Sequence, residues 1–406
     1  MRVTTAFNRI LRIPAATVVA VHFGTNDVTA HLRLRSRKLR CECGYVTAAA
    51  YDRSVRRWRH LDVGANKMWL QAEIRRLECP TCGVRTEVVP WARPGARQTR
   101  EFENTVAWLT QRADKSTVAR FMRCAWETVD RIVGRVVADH LDDTRLDGLV
   151  HLGVDEISYR KGHRYLTVVV DHDTGRVVWI AEGRTTTALL GFYDALGPER
   201  RAQIRAVSMD MTSIYRSATE QAVPHAVICL DPFHIMKWVN EALDRVYSAT
   251  PRADFDREVT GPEWRRTRTA LRTGVEHLND AQRDRIRLVR RNRYQLWRAW
   301  DLKEQFRQLY RSVTPANAAA HLKKWCTRAL RSRIPAFRFL VQRIRKYFDG
   351  VIAAVQWGLS NSRVEGVNAK IRLINNRAHG HRSVPALTAS IYLCLGGIDV
   401  PLPTQT

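Results

Sequence analysis

Long apolar runs are missing from this 406-residue chain. No stretch approaches the ~20 consecutive apolar residues of a membrane-spanning helix, so no helical span is expected. The start, Met1-Arg-Val-Thr-Thr, lacks the apolar core of a signal peptide. Cysteine is sparse and irregularly placed, with eight in all, so thiols or metal ligands are expected rather than a disulfide framework. Acidic residues are outnumbered: 40 Asp and Glu face 67 Lys and Arg, for a formal charge of +27 and a pI near 10.5. No internal repeat or low-complexity tract appears. Together these absences place the chain in the cytoplasm or on the nucleoid.

What is present is positive charge in clusters. Arg33-Leu-Arg35-Ser-Arg37-Lys38-Leu-Arg40, Arg53-Ser-Val-Arg56-Arg57-Trp-Arg59 and residues 283–293 concentrate it. A genome-wide arginine bias would raise the pI but would not bunch the charge. Such a field favours polyanions and releases counterions from each neutralised phosphate, so double-stranded DNA is the expected partner.

Hydrophobic periodicity divides the chain into five segments. Residues 1–97 read as short strands and turns: the runs 18–23 and 28–34 flank Gly24-Thr-Asn-Asp27, a hairpin signal, and Pro90, Pro94 and Gly95 mark a linker. Residues 98–145 are helical. In 146–232 apolar runs at 151–158, 164–170, 176–181, 204–209 and 226–230 alternate with helical stretches at 186–196 and 213–222. That order, three strands, helix, strand, helix, strand, opens a ribonuclease-H-like α/β sheet. Residues 233–355 read as a large all-helical insertion rich in Arg, Trp and Leu. Residues 356–406 return to the core with a helix over 363–375.

Cys79-Pro-Thr-Cys82-Gly83 is a zinc-knuckle half site, and Cys41-Glu-Cys43-Gly44 is its expected partner. Four thiolates make a closed structural zinc site. The C-x-C half departs from the commoner C-x-x-C. His60 is a possible substitute ligand, although a surface histidine on a basic strand is the simpler reading. Cys124, Cys229, Cys326 and Cys394 lie among apolar residues and read as core.

Residues 114–133 have helix-turn-helix spacing. Val118, Ala119, Phe121 and Met122 give one apolar face and Val129, Ile132 and Val133 the next, with Arg123 and Cys124 at the turn. The second helix would offer Glu127, Thr128 and Arg131 to the major groove. A helical hairpin that merely packs is the alternative.

Three acids stand in distinctive settings. Asp155 ends the apolar run His151-Leu-Gly-Val, Asp210 ends Ala206-Val-Ser-Met, and Glu365 rides on a helix whose apolar stripe is Val364, Val367, Ile371 and Ile374. Asn361, Asn368 and Arg372 share the polar face with Glu365. Two strand-end aspartates and a distant helical glutamate suit a pair of Mg²⁺ or Mn²⁺ ions, because hard cations want carboxylate oxygens. Glu156 is the rival ligand, but strand alternation points it to the opposite face from Asp155. Asp231-Pro-Phe-His234 follows the last strand, with Asp231 placed to support the metal ligands and His234 to contact DNA or phosphate; simple structural pairing of the two is the alternative.

These residues resemble the ISL3-type insertion-sequence transposases of bacteria, which carry an N-terminal zinc-binding domain and a DDE catalytic core. The resemblance covers nearly the whole chain. It rests on Cys79-Pro-Thr-Cys82, Thr128-Val129, Gly153-Val-Asp155-Glu156, Asp210-Met211 followed by Tyr215, Asp231-Pro-Phe-His234 and Leu359-Ser-Asn-Ser-Arg-Val-Glu365. It implies that Asp155, Asp210 and Glu365 form the DDE triad and that Asp231 and His234 form the D-x-x-H element before a helical insertion. It also implies metal-assisted DNA cleavage and joining without a covalent protein–DNA intermediate, recognition of terminal inverted repeats by the zinc domain and helix-turn-helix, and at least a dimer to pair two ends. The insertion would hold flanking or target DNA through Arg and Trp, or those tryptophans are structural. Two rivals share the same features: a DNA-binding regulator on an inactive core, and a nuclease that cuts without joining.

Overall fold

The computed structural model describes residues 1–160, 162–211, 213–251, 260–311, 313–378 and 380–402. They fall into two compact units, one of Met1–Asp142 with Leu373–Thr406 and the other of Asp143–Arg372.

The first unit opens with α1 (Val3–Leu11), then β1 (Ala16–Phe23), β2 (Asp27–Leu34), the short β3 (Leu39–Arg40) and β4 (Val46–Thr47), β5 (Asp52–Val63), β6 (Asn66–Cys79) and β7 (Gly83–Thr86). The main sheet has the order β1-β2-β6-β5, with β7 pairing the end of β6. Alternation along β6 buries Met68, Leu70, Ala72 and Ile74, the signature of a sheet with one face on the core. Trp58 and Trp91 close that core edge to face at 5.6 Å. Three helices follow: α2 (Arg100–Thr110), α3 (Lys115–Phe121) and α4 (Trp126–His140).

Glu103 of α2 is fully buried. Its carboxylate accepts hydrogen bonds from Arg93 Nη1 at 3.1 Å and Arg135 Nε at 2.8 Å, and Arg93 also bonds Asp139 at 2.9 Å. Removing one member of such a buried set leaves the others' charges without compensation. Glu103→Ala is therefore expected to cost about 3–5 kcal/mol, the range for a broken buried ion pair. Urea unfolding of the full chain measures it, and an unchanged midpoint would refute it.

The second unit contains β8 (His151–Arg160), β9 (Arg164–Asp171), β10 (Val177–Glu182), α5 (Thr186–Arg201), β11 (Ala206–Met209), α6 (Ser213–Ala222) and β12 (Val227–Leu230). Their sheet runs β10-β9-β8-β11-β12. β8 pairs antiparallel with β9 and parallel with β11, and β11 pairs parallel with β12. Leu152, Val154, Val207 and Met209 pack with Leu189, Phe192 and Tyr215 of α5 and α6 on one face.

Helices α7 (Pro232–Ala249), α8 (Gly261–Arg272), α9 (Asp280–Asn292), α10 (Tyr294–Gln308), α11 (Ala318–Arg331), α12 (Pro335–Lys346) and α13 (Phe348–Trp357) follow. Their core includes Leu302, Phe306, Trp325 and Phe337. Among the described residues this region contains no strand, as its composition predicts; residues 252–259 and 312 of the expected insertion lie outside them. Buried Lys303 knits the helices by donating to the Leu271 and Thr273 carbonyls at 2.7 and 2.9 Å. Trp238 and Trp325 are buried, and Trp264, Trp297 and Trp300 pack against the same core. All five tryptophans therefore help pack this helical core.

Helix α14 (Ser362–Arg377) and α15 (Val384–Leu395) end the chain. Several expectations need correction. α1 was not anticipated: it is short and buries no residue completely, which leaves little pattern to read. Helix α13, expected at the end of the insertion, buries Val351 and Ile352 in the helical core and also rests on the sheet, where Ala353 and Ala354 meet Ala206 and Cys229. Residues 356–406 do not stay together, because the chain from Leu373 onward belongs to the first unit, where Gln111 donates to the Leu393 carbonyl at 2.8 Å. Among the described residues, no helix is long and apolar enough to cross a membrane.

Candidate functional site

The register of the parallel strands assembles the acids. Met209 lies beside Val154 on one side and Leu230 on the other. The next residue on each strand is Asp155, Asp210 or Asp231, so three carboxylates form a row where the parallel pairing ends. Gly153, Asp155, Ser208 and Asp210 share the sheet face opposite α5 and α6.

Helix α14 lies across that face. It can approach because position 153 is glycine: a Cβ there would come within 2.4 Å of Val364 Cγ2 and 2.8 Å of His172 Nε2. Asn361 is pinned on both sides, its side-chain oxygen accepting from Ser208 Oγ at 2.6 Å and its N–H donating to Asp231 Oδ1 at 3.3 Å. Asn368 Nδ2 donates to Asp155 Oδ2 at 2.8 Å. Glu365 stands between these two clamps, one turn after Asn361 and three residues before Asn368, and is exposed. The polar face of α14 is thus anchored over the acid row at the positions either side of Glu365. Arg372 is exposed.

Electrostatics mark the row as short of positive charge. Burial, with the charges of Glu156 and Asp210 added, pushes Asp155 up to about 7, against the Glu156 N–H and His234. The Glu156 N–H donates to Asp155 Oδ1 at 2.9 Å. Burial also raises Glu156, which Arg184 opposes from 3.0 Å. His234 Nδ1 bonds Asp231 Oδ2 at 3.0 Å and lies 3.5 Å from Asp210 Oδ1. The Asp231 bond outweighs burial and holds the imidazole above its usual range, with Asp210 adding to it. Asp231 also caps α7 by accepting from the Phe233 N–H at 3.2 Å. Structural pairing and placement in the site are therefore combined in Asp231 and His234.

Two further members were not anticipated. His172 Nε2 bonds Ser208 Oγ at 2.6 Å, so the chain His172–Ser208–Asn361 ties the β9 turn to α14. Burial and the neighbouring Arg363 lower His172 to about 4. The buried amide atoms Asn361 Nδ2 and Asn368 Oδ1 have no protein partner. An acid row needing charge, with amide groups left over, has the donor chemistry that hard divalent cations take, but among the described residues only the four cysteines converge closely enough to hold one ion.

In the first unit Cys41, Cys43, Cys79 and Cys82 converge with all four sulfurs within 4.8 Å of one another. Tetrahedral zinc with bonds of about 2.3 Å needs sulfurs roughly 3.8 Å apart, and Cys43 and Cys79 are already at 3.5 Å. The C-x-C loop reaches the site because Gly44 takes φ +92° and its N–H closes onto the Cys41 carbonyl at 3.0 Å. Cys79 falls to about 7: burial opposes the shift, but the N–H groups of Cys82 and Thr81 and the neighbouring thiols outweigh it. His60 is neither a ligand nor on the surface; it is buried and bonds Thr99 Oγ1 at 2.9 Å.

The helix-turn-helix comprises α3 and α4, with Asp114 capping α3 through the Thr117 N–H at 2.9 Å. Arg123 occupies the turn at φ +52°. Its guanidinium bonds Asp62 at 2.9 Å and the Ala65 carbonyl at 2.7 Å, which fixes the turn to the β5–β6 connection. Arg131 is exposed, whereas Thr128 is buried and accepts from Arg131 at 3.1 Å. Glu127 pairs with Arg382 at 3.0 Å. Phe121, expected on the apolar face, is exposed while Met122 packs inward.

A zinc ribbon, a DNA-reading helical module and an acid-tipped α/β sheet define a DNA-processing enzyme. Residues 152–391 match a family model described as a transposase. Residues 87–137 match the helix-turn-helix domain of transposase family ISL3, and residues 42–82 match the zinc finger of the IS204/IS1001/IS1096/IS1165 transposases. The chain is 38% identical to the transposase for insertion sequence element IS1557 of Mycobacterium tuberculosis, over 99% of this chain and 98% of that protein. It is 29% identical to the transposase for IS1001 of Bordetella parapertussis, over 87% and 88% respectively. The chain belongs to the ISL3 family of transposases.

Proposed function

We propose that this chain is a DDE transposase with a ribonuclease-H-like core that cuts and rejoins DNA at the terminal inverted repeats of an insertion sequence. The observation that carries the reading is the in-register row of Asp155 and Asp210 with α14 clamped above it through Asn361 and Asn368. The strand order, three antiparallel strands followed by two parallel ones, supports the core assignment.

Asp155, Asp210 and Glu365 would hold paired Mg²⁺ or Mn²⁺ ions. There such ions would supply activation of the attacking oxygen and charge neutralisation for the departing one. Asn368 holds the Asp155 carboxylate in place. Asp231 orients His234 by taking Nδ1, which leaves Nε2 as the nitrogen free to donate to a phosphate oxygen. Arg131 is placed to reach DNA from α4, while Thr128 and Arg123 act by holding that helix and turn. Pairing of two element ends calls for at least a homodimer.

Glu365→Gln tests the triad. It is expected to lower Mg²⁺-dependent cleavage of duplex ends roughly 10²–10³-fold, the scale for losing one electrostatic stabiliser, with duplex affinity kept. Glu156→Gln should cut within a few-fold of the parent. Cleavage lost by Glu156→Gln and retained by Glu365→Gln would overturn the assignment.

A further inference from the structure

Helix α7 begins at the acid row, where Asp231 caps it. Two residues later Phe233 is 59% exposed, its ring edge-on to His234 at 5.6 Å. The solvent side of α7 then repeats every four residues through Lys237, Glu241 and Arg245. Beside it α12 exposes Phe339, at 56%, and Arg343. Phe233 and Phe339 are the exposed rings of this surface among the described residues, and cations lie over the buried or half-buried rings beneath it as well as beside Phe339. Arg343 lies 3.4 Å from the Trp238 ring centre, Arg245 lies 5.8 Å from that of Phe339, and Lys346 lies 5.5 Å from that of Tyr347. Glu241 is the one acid among these side chains.

Alternating rings and cations suit an unpaired nucleic-acid strand: rings stack on bases of any sequence and cations follow the phosphates. A duplex keeps its bases inside, so a bare ring gains only from a base that has left the stack. We propose that the α7–α12 surface is a track for an unpaired DNA strand leaving the acid row, with Phe233 stacking on the first unpaired base. From Phe233 to Arg245 the helix spans roughly 18 Å, room for a few nucleotides. The direction of the strand rests on the acid row being the cutting centre.

The test is fluorescence anisotropy in EDTA with the full chain, using a short dye-labelled oligothymidylate and a blunt duplex of equal length. Phe233→Ala should weaken single-strand binding roughly 5- to 150-fold, the stacking contribution of one base. Phe233→Trp should restore it, and duplex affinity should change less than about twofold. The double change Arg245→Glu with Arg343→Glu should also lower single-strand affinity. The track is overturned if Phe233→Ala binds the oligonucleotide like the parent, or if single-strand and duplex binding fall together. Cleavage by the Asp155→Asn protein reports separately: its survival would remove the cutting centre without altering the anisotropy ratios.

Discussion

Asp155→Asn is expected to lower Mg²⁺-dependent strand cleavage and joining by about three to four orders of magnitude, because metal-borne charge stabilisation is worth several kcal/mol in the transition state. Binding to duplex ends should persist, since the basic surfaces and the helix-turn-helix are untouched. The same residue sets a pH dependence. Without a cation the Asp155 carboxyl is held up to about 7, above the ordinary aspartate range. Below that pH it is protonated, and its proton must leave before the carboxylate can bind a cation. At limiting Mg²⁺, activity should therefore fall as the pH drops through 7, and saturating Mg²⁺ should move the midpoint lower. Calorimetry of Mg²⁺ binding in buffers of different ionisation enthalpy would count the proton released. Parent-like cleavage by Asp155→Asn, or Mg²⁺ binding with no proton release near pH 7, would refute this account.

Chelation of zinc, or Cys79→Ser, is expected to unfold the ribbon formed by β3, β4 and the ends of β6 and β7. The thiols sit over little else: among the described residues their apolar cluster adds just Leu39 and Leu77 to Cys41, Cys79 and Cys82. Structural zinc contributes about 10–16 kcal/mol in small zinc domains, as much as the whole stability of a typical domain. The parent should carry one zinc per chain, and Cys79→Ser should lose it and become sensitive to trypsin between residues 35 and 86, where arginines abound. Cys229→Ser is the control, because that buried thiol, pushed up to about 12, is no ligand. A Cys79→Ser protein with full zinc and parent-like proteolysis would disprove the site.

The acids were legible because parallel strands leave a plain trace, an apolar run that stops at a carboxylate. The polar face of α14 was legible through helical spacing, which put Asn361, Glu365 and Asn368 together. His172 and Ser208 were not, since a turn histidine and a mid-strand serine have no pattern of their own. They meet only once β8, β9 and β11 pair and α14 settles on Gly153. Thr128 differs: a polar side chain on a recognition helix reads as a contact, yet it is buried and its hydroxyl is occupied by the exposed Arg131. The chain beyond Leu373 reads in the sequence as part of the catalytic core, whereas it packs with the first unit, because its apolar helix would suit either core.

The spacing of Asp155, Asp210 and Asp231 is set by backbone hydrogen bonds between neighbouring strands, not by the side chains around them. Adjacent strands stand about 4.8 Å apart, close to the roughly 4 Å between the ions of a two-metal centre, so in the proposed function the sheet would act as the gauge. A point change near the row leaves that gauge intact. Deleting one residue from Ala206–Met209 would turn Asp210 to the far side of the pleat, and no rotamer could bring it back.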